Sequence, residues 1–202
     1  MPKPPLVLLI GGASGTGKTT LANLLVQELD LAHHVSTGFV REVVKSVLPD
    51  TQAELLDSFA FDTWHDLQAK SPATSPSVVE GALTQAALLL PAIQACINRS
   101  IREGASLVLE GSHLLPGLFD TESLGISRFV VLDVPNTDVL LQRAQGHTHA
   151  LRNLSSEQLS NIVELQKGYL ELAALHEIPV INNTEVQHSI KQIKELLSTV
   201  CI

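Results

Sequence analysis

A run of glycines near the amino terminus ends in a lysine and two threonines: Gly12-Ala13-Ser14-Gly15-Thr16-Gly17-Lys18-Thr19-Thr20. The spacing matches G-x-x-x-x-G-K-[ST] at every fixed position. An apolar strand pattern precedes it and a helix pattern, TLANLLVQEL, follows it, which is the context the motif requires. Glycines admit backbone conformations closed to other residues and bring N–H groups around a phosphate, while the helix N-terminus adds its partial positive charge. Lys18 is then expected to reach the β- and γ-phosphates of ATP, and the Thr19 hydroxyl to ligate Mg²⁺. The pattern implies a nucleoside triphosphate with its metal, but does not by itself separate transfer, hydrolysis and switching.

Further chemistry-bearing residues recur where such a loop would need them. In Ser36-Thr37-Gly38-Phe39-Val40-Arg41-Glu42 a short strand runs into a helix, with Arg41 one turn inside. Its planar, multi-donor head either grips a phosphate or carboxylate of a substrate or pairs on the surface with Glu42 or Glu54. Leu107-Val108-Leu109-Glu110 is a buried-strand pattern ending in a carboxylate, followed by Gly111-Ser112-His113. Ligands of open parallel sheets sit beyond the carboxyl ends of the strands, so Glu110, Ser112 and His113 are expected to face the site. Glu110 would hold a metal-bound water, act as base toward an acceptor hydroxyl, or cap the next turn. His113 would meet the substrate or orient its loop. The segment 142–152 carries Arg143, His147, His149 and Arg152 between two helix patterns and reads as a lid, at about 143–155, that brings Arg143 and Arg152 over a transferring phosphoryl group.

These residues need a scaffold. Short Val/Leu/Ile runs over 6–10, 34–36, 107–110, 129–134 and 180–182 alternate with helix patterns over 18–29, 38–48, 81–103, 137–145, 156–176 and 184–200. That alternation predicts an α/β fold: a P-loop NTPase three-layer α/β/α sandwich around a mainly parallel five-stranded sheet, with 1–202 as a single domain. Ser155 is a natural helix cap, and KSPATSPS at 70–77 reads as a loop. Apolar residues make up 45% of the 202 and aromatics only 3%, so Leu, Val, Ile and Ala must fill the core. A net charge of −8 with thirteen Lys and Arg opposes binding along a nucleic-acid backbone, so an anionic ligand must be gripped locally. The apolar start is too short for a signal-peptide core, no membrane span is expected, and two distant cysteines without metal-ligand spacing suit a cytoplasmic protein. Oligomeric state leaves no trace in the sequence.

With these pieces in order, the chain resembles the 2-phosphoglycerate kinases, P-loop enzymes that phosphorylate the free hydroxyl of 2-phosphoglycerate to give 2,3-bisphosphoglycerate. GGASGTGKTT, STGFVRE, VLEGSHLLPG and LQKGYLELAALHEIPVINN carry the resemblance across residues 5–195, and EGSHLLPG and IPVINN are the segments most similar to this family's own wording. A weaker point is the run from Leu56-Asp57-Ser58-Phe59 to Trp64. The resemblance implies ATP and Mg²⁺ at Gly15, Gly17, Lys18 and Thr19, with a small anionic acceptor between Arg41, Glu110 and His113. One position departs: after Ser-Thr, where the family usually carries an aspartate, this chain has Gly38.

Overall fold

A computed structural model describes residues 5–146 and 153–199. Five strands, β1 (Val7–Gly11), β2 (His33–Ser36), β3 (Leu107–Glu110), β4 (Arg128–Asp133) and β5 (Val180–Asn182), form one parallel sheet in the order β2-β3-β1-β4-β5. Alternation along the strands sorts their side chains to two faces. Leu8, Ile10, Val108, Val130 and Leu132 point to a layer made by α1 (Lys18–Glu28) and α8 (Val186–Ser198). Val7, Leu9, Leu107, Leu109, Phe129 and Val131 point to the opposite layer, where α5 (Val78–Glu103) and α7 (Ser156–Leu175) lie. This is the expected three-layer α/β/α fold.

After β2 come α2 (Thr37–Lys45), α3 (Asp50–Ala53), a 3₁₀ turn at Glu54–Leu56 and α4 (Thr63–Lys70). Neither α3 nor α4 is expected from the sequence, since both are short and held by packing rather than by periodicity. A Cβ at Gly81 of α5 would lie within 3.0 Å of Trp64, so that glycine is what lets α4 come so close. At 26 residues, α5, expected over 81–103, is the one described helix long and apolar enough to cross a membrane by length and composition. It is a core helix: Val78, Ala82, Ala86, Leu89, Ile93 and Ile97 recur at helical spacing and are at most 4% exposed.

The central strand β1 feeds the glycine loop and α1, whose first helical residue is Lys18. Register aligns Ile10 and Ser36 with Glu110, which brings the ends of β1, β2 and β3 together at one edge. After β4 comes α6 (Thr137–Ala144), which carries Arg143.

Candidate nucleotide and acceptor site

Gly12, Gly15 and Gly17 have φ of 142°, 87° and 85°, a region that disfavours L side chains, so the loop curls as its spacing demands. The close approaches go further. A Cβ at Gly15 would collide with the Leu140 carbonyl of α6, and one at Gly17 would stand 2.6 Å from the Asn183 amide. Lys18 is 9% exposed, and its Nζ donates to the Ala13 carbonyl at 2.7 Å and lies 3.4 Å from Thr16 Oγ1. Across the loop, the Thr19 hydroxyl donates to Glu110 Oε1 at 3.1 Å.

Glu110 is 2% exposed. Burial pushes its carboxyl upward, yet His34, Lys18, Ser36 and Thr19 together hold it below its ordinary value, so it is ionised. His34 Nε2 stands 3.8 Å from Glu110 Oε1, beyond hydrogen-bond reach. Lysine, threonine and carboxylate open into one cavity of about 720 Å³ beyond the strand ends, lined also by Ser14, Gly15, Gly17, Thr20, Asn23, Ser36, Thr37, Gly38, Ser112 and Arg143. Glycine-loop residues and those that follow β2 and β3 thus share a single space.

Arg143 is placed at this cavity, with Nη1 donating to the Asn183 carbonyl at 2.8 Å and Nη2 to that of Thr184 at 3.0 Å. Arg152, His147 and His149 lie outside the described residues, as does the middle of the expected lid, 147–152. Two expected substrate contacts are placed elsewhere. Arg41 binds Glu42 Oε1 at 2.7 Å and the Ser58 carbonyl at 3.1 Å and does not line the cavity.

His113 does not line the cavity either, being 3% exposed with Nδ1 at 2.9 Å from Thr37 Oγ1 and Nε2 at 2.9 Å from Gln85 Oε1. The Gln85 amide nitrogen donates to the Leu55 and Ser58 carbonyls, so its oxygen accepts from Nε2–H and Nδ1 accepts from the Thr37 hydroxyl. Burial first, then the charges of Arg41 and Lys18, lower the His113 pKa to about 3, leaving it neutral. Its ring is therefore a strut under Thr37, and the neighbouring Ser112 is what faces the cavity.

The sequence reading gave no role to two buried amides. Asn183, 3% exposed, donates to the Thr16 carbonyl at 2.8 Å, while its Oδ1 accepts from Ser189 of α8. Gln166 of α7 accepts from the Ala13 N–H at 3.0 Å. Both fall within LQKGYLELAALHEIPVINN, but periodicity has no means of showing that α7 and the end of β5 converge on the loop.

No family model matches the chain. Curated relatives do. The 2-phosphoglycerate kinase of Pyrococcus horikoshii is 27% identical over 195 residues, covering 96% of this chain and 64% of the relative. That of Methanopyrus kandleri is 29% identical over 202 residues, covering 96% and 61%. This chain is similar along most of its length to the 2-phosphoglycerate kinases. It spans under two thirds of the length of these two, and 66% of the Thermococcus kodakarensis 2-phosphoglycerate kinase, at 29% identity over 199 residues. Among solved structures, a gluconokinase from Sinorhizobium meliloti superposes with a TM-score of 0.52 at 12% identity, covering 98% of this chain and 95% of that one. A shikimate kinase from Bacteroides thetaiotaomicron gives 0.51 at 16%, covering 96% and 98%. These likenesses bear on the fold alone, and they agree with the P-loop architecture that the 2-phosphoglycerate kinase resemblance implies.

Proposed function

We propose that the chain is an ATP-dependent kinase that phosphorylates a hydroxyl of a small anionic metabolite, with 2-phosphoglycerate, giving 2,3-bisphosphoglycerate, as the acceptor. One observation carries this reading: the Thr19–Glu110 hydrogen bond at 3.1 Å lies in a cavity whose walls include both the glycine loop and Ser36, Thr37, Gly38 and Ser112. A hydrolase needs no second wall for an acceptor. The similarity to 2-phosphoglycerate kinases supports the choice of acceptor.

In this reading the loop N–H groups and the start of α1 bind the phosphates. Lys18 leaves the Ala13 carbonyl for the β- and γ-oxygens, so its charge follows the transferring group. Thr19 and Glu110 offer two hard oxygen donors, a set that suits Mg²⁺. Bound there, Mg²⁺ would neutralise charge on the phosphates. A carboxylate held below its ordinary pKa is a weak proton acceptor, which favours the metal-facing role of Glu110 over that of base. Arg143 faces the nucleotide side, Ser36 and Ser112 the acceptor, and Arg152 belongs to the arm that would close over both. Phosphoryl transfer rests mainly on positioning and charge, so Gly38 does not preclude it. The cysteine usage suits action in the cytoplasm.

The test is acceptor-dependent ADP release with Mg²⁺-ATP, comparing 2-phosphoglycerate with 3-phosphoglycerate, glycerate and buffer, and Lys18→Ala as the blank. Stimulation by 2-phosphoglycerate alone, lost in the variant, is expected. A second reading, another hydroxylated acceptor, is favoured by the commitment of Arg41 to Glu42 and Ser58. ATP binding without stimulation by any of the three acids would select that reading or a nucleotide-binding switch.

A further inference from the structure

Gln166 sits in α7, 4% exposed, and every hydrogen-bonding group of its amide is engaged. Its Oε1 accepts from the Ala13 N–H at 3.0 Å, and its Nε2 donates to the Leu132 carbonyl at 2.9 Å and to Asp133 Oδ1 at 3.1 Å. A buried amide so satisfied is fixed in orientation, because a flip would set donor against donor and acceptor against acceptor. The residue it holds has its own load. The Ala13 carbonyl receives both Lys18 Nζ, at 2.7 Å, and Thr16 Oγ1, at 2.9 Å. One turn along the same helix, Tyr169 packs against the entry to the loop, 3.3 Å from where a Cβ on Gly11 would stand.

We propose that Gln166 is a positioning residue for the phosphate loop, acting through Ala13: it holds the loop in the shape that receives nucleotide and sets the resting point from which Lys18 moves. The inference rests on the nucleotide-binding reading of the site. A loop with three glycines at positive φ has many accessible conformations. Only the fraction in which its N–H groups converge binds phosphate, and apparent affinity falls in proportion to that fraction. A brace on residue 13 raises it before ligand arrives. Asn183 braces the Thr16 side in the same way but also lines the cavity, so its loss would mix positioning with contact. Gln166 does not line the cavity, which makes it the clean test of positioning.

The experiment measures Mg²⁺-ATP affinity by calorimetry, and the melting temperature in parallel, for the wild-type chain, Gln166→Leu and Gln166→Glu. In Gln166→Leu the Ala13 N–H loses its partner in a buried place, and the dissociation constant is expected to rise roughly tenfold or more. Gln166→Glu keeps the acceptor but loses both donors and sets a charge beside Asp133. Its affinity is expected to be weakened at about pH 7.5 and to recover toward wild type at about pH 5.5, where protonation restores a donor, each compared with wild type at the same pH. A residue that matters only for stability would lower the melting temperature of both variants and leave their affinities within about twofold of wild type; that result overturns the proposal. Should Gln166→Leu not fold, the Glu variant decides, and an affinity ratio to wild type that is flat with pH overturns it equally. Absence of ATP binding by the wild type would instead remove the nucleotide-binding reading, and this inference with it.

Discussion

His113 and Gly38 show how far a residue's type reports its task. A histidine after a strand-end glutamate looks chemical, but its neighbours decide: Gln85 and Thr37 saturate both nitrogens and burial keeps the ring neutral. That has a signed consequence. With a folded pKa of about 3 against 6.5 unfolded, the unfolded chain takes up this proton first, so stability falls with pH below about 6.5 and the loss is complete only near pH 3. At pH 5 it amounts to about 2 kcal/mol. Glu110, also lowered, works in the same direction but only below its unfolded value of 4.5, so the window between the two belongs to the histidine. Urea titrations of wild type and His113→Gln at about pH 7 and pH 5 check this; an equal pH loss in both proteins would refute it. Gly38 tells the opposite story. A Cβ there would meet only Ser36 Oγ, at 3.6 Å, and the first turn of α2 carries no acidic residue. Gly38→Asp is therefore expected to stabilise the fold by about 1 kcal/mol, through lower backbone entropy in the unfolded chain and the helix dipole, and a drop in urea midpoint would contradict it. Lys18, Thr19 and Glu110 were legible as a set because a motif fixes two of them and the strand-end rule the third. Gln166 and Asn183 were not, since their role exists only once distant elements meet.

All five strands lie within a residue of where alternation of short apolar runs puts them, because strands buried on both faces write continuous Val/Leu/Ile runs into the chain. The helices that escaped notice, α3 and α4, have only four and eight residues and too few turns for a period to show. Packing fixes α4 instead, where Gly81 of α5 admits the backbone of Trp64. The start of α7 was readable and has more to do than its cap suggests. Ser155 Oγ accepts from the Gln158 N–H at 3.2 Å while Gln158 Oε1 accepts from the Ser155 N–H at 2.9 Å, a complete capping box. The same Gln158 donates through Nε2 to Asp62 Oδ2 at 2.6 Å, and Asn161 donates to the other carboxylate oxygen at 3.2 Å. One helix thus anchors the acceptor-side segment at its first turn and the phosphate loop, through Gln166, farther along. Ser155→Ala is expected to cost about 1 kcal/mol, the worth of a cap. Gln158→Ala should cost more, about 2–3 kcal/mol, because it also strips a partner from a carboxylate that is 9% exposed. If urea unfolding ranks the two the other way, Asp62 does not depend on Gln158.

For the molecule as a whole, the proposed binding of a polyanion to an acidic chain requires attraction concentrated at short range. The net charge of −8 repels ATP at a distance, while Lys18, the loop N–H groups and the start of α1 act within a few ångströms, where a low local dielectric strengthens them. Binding of this kind stabilises the folded state by RT ln(1 + [L]/Kd). At about a hundredfold excess over Kd that is roughly 2.7 kcal/mol, which for a chain of 202 residues corresponds to roughly 5–10 °C in melting temperature. The shift is expected with Mg²⁺-ATP, to shrink when the metal is chelated, and to vanish in Lys18→Ala. Single-stranded DNA at matched phosphate concentration should leave the melting temperature unchanged, since the overall field gives a nucleic-acid backbone no purchase. Equal shifts by DNA and ATP would mean that diffuse charge rather than the loop does the binding. A full ATP shift in Lys18→Ala would place the nucleotide somewhere other than the cavity beneath Gly15 and Gly17, and would detach the catalytic reading from the site that carries it.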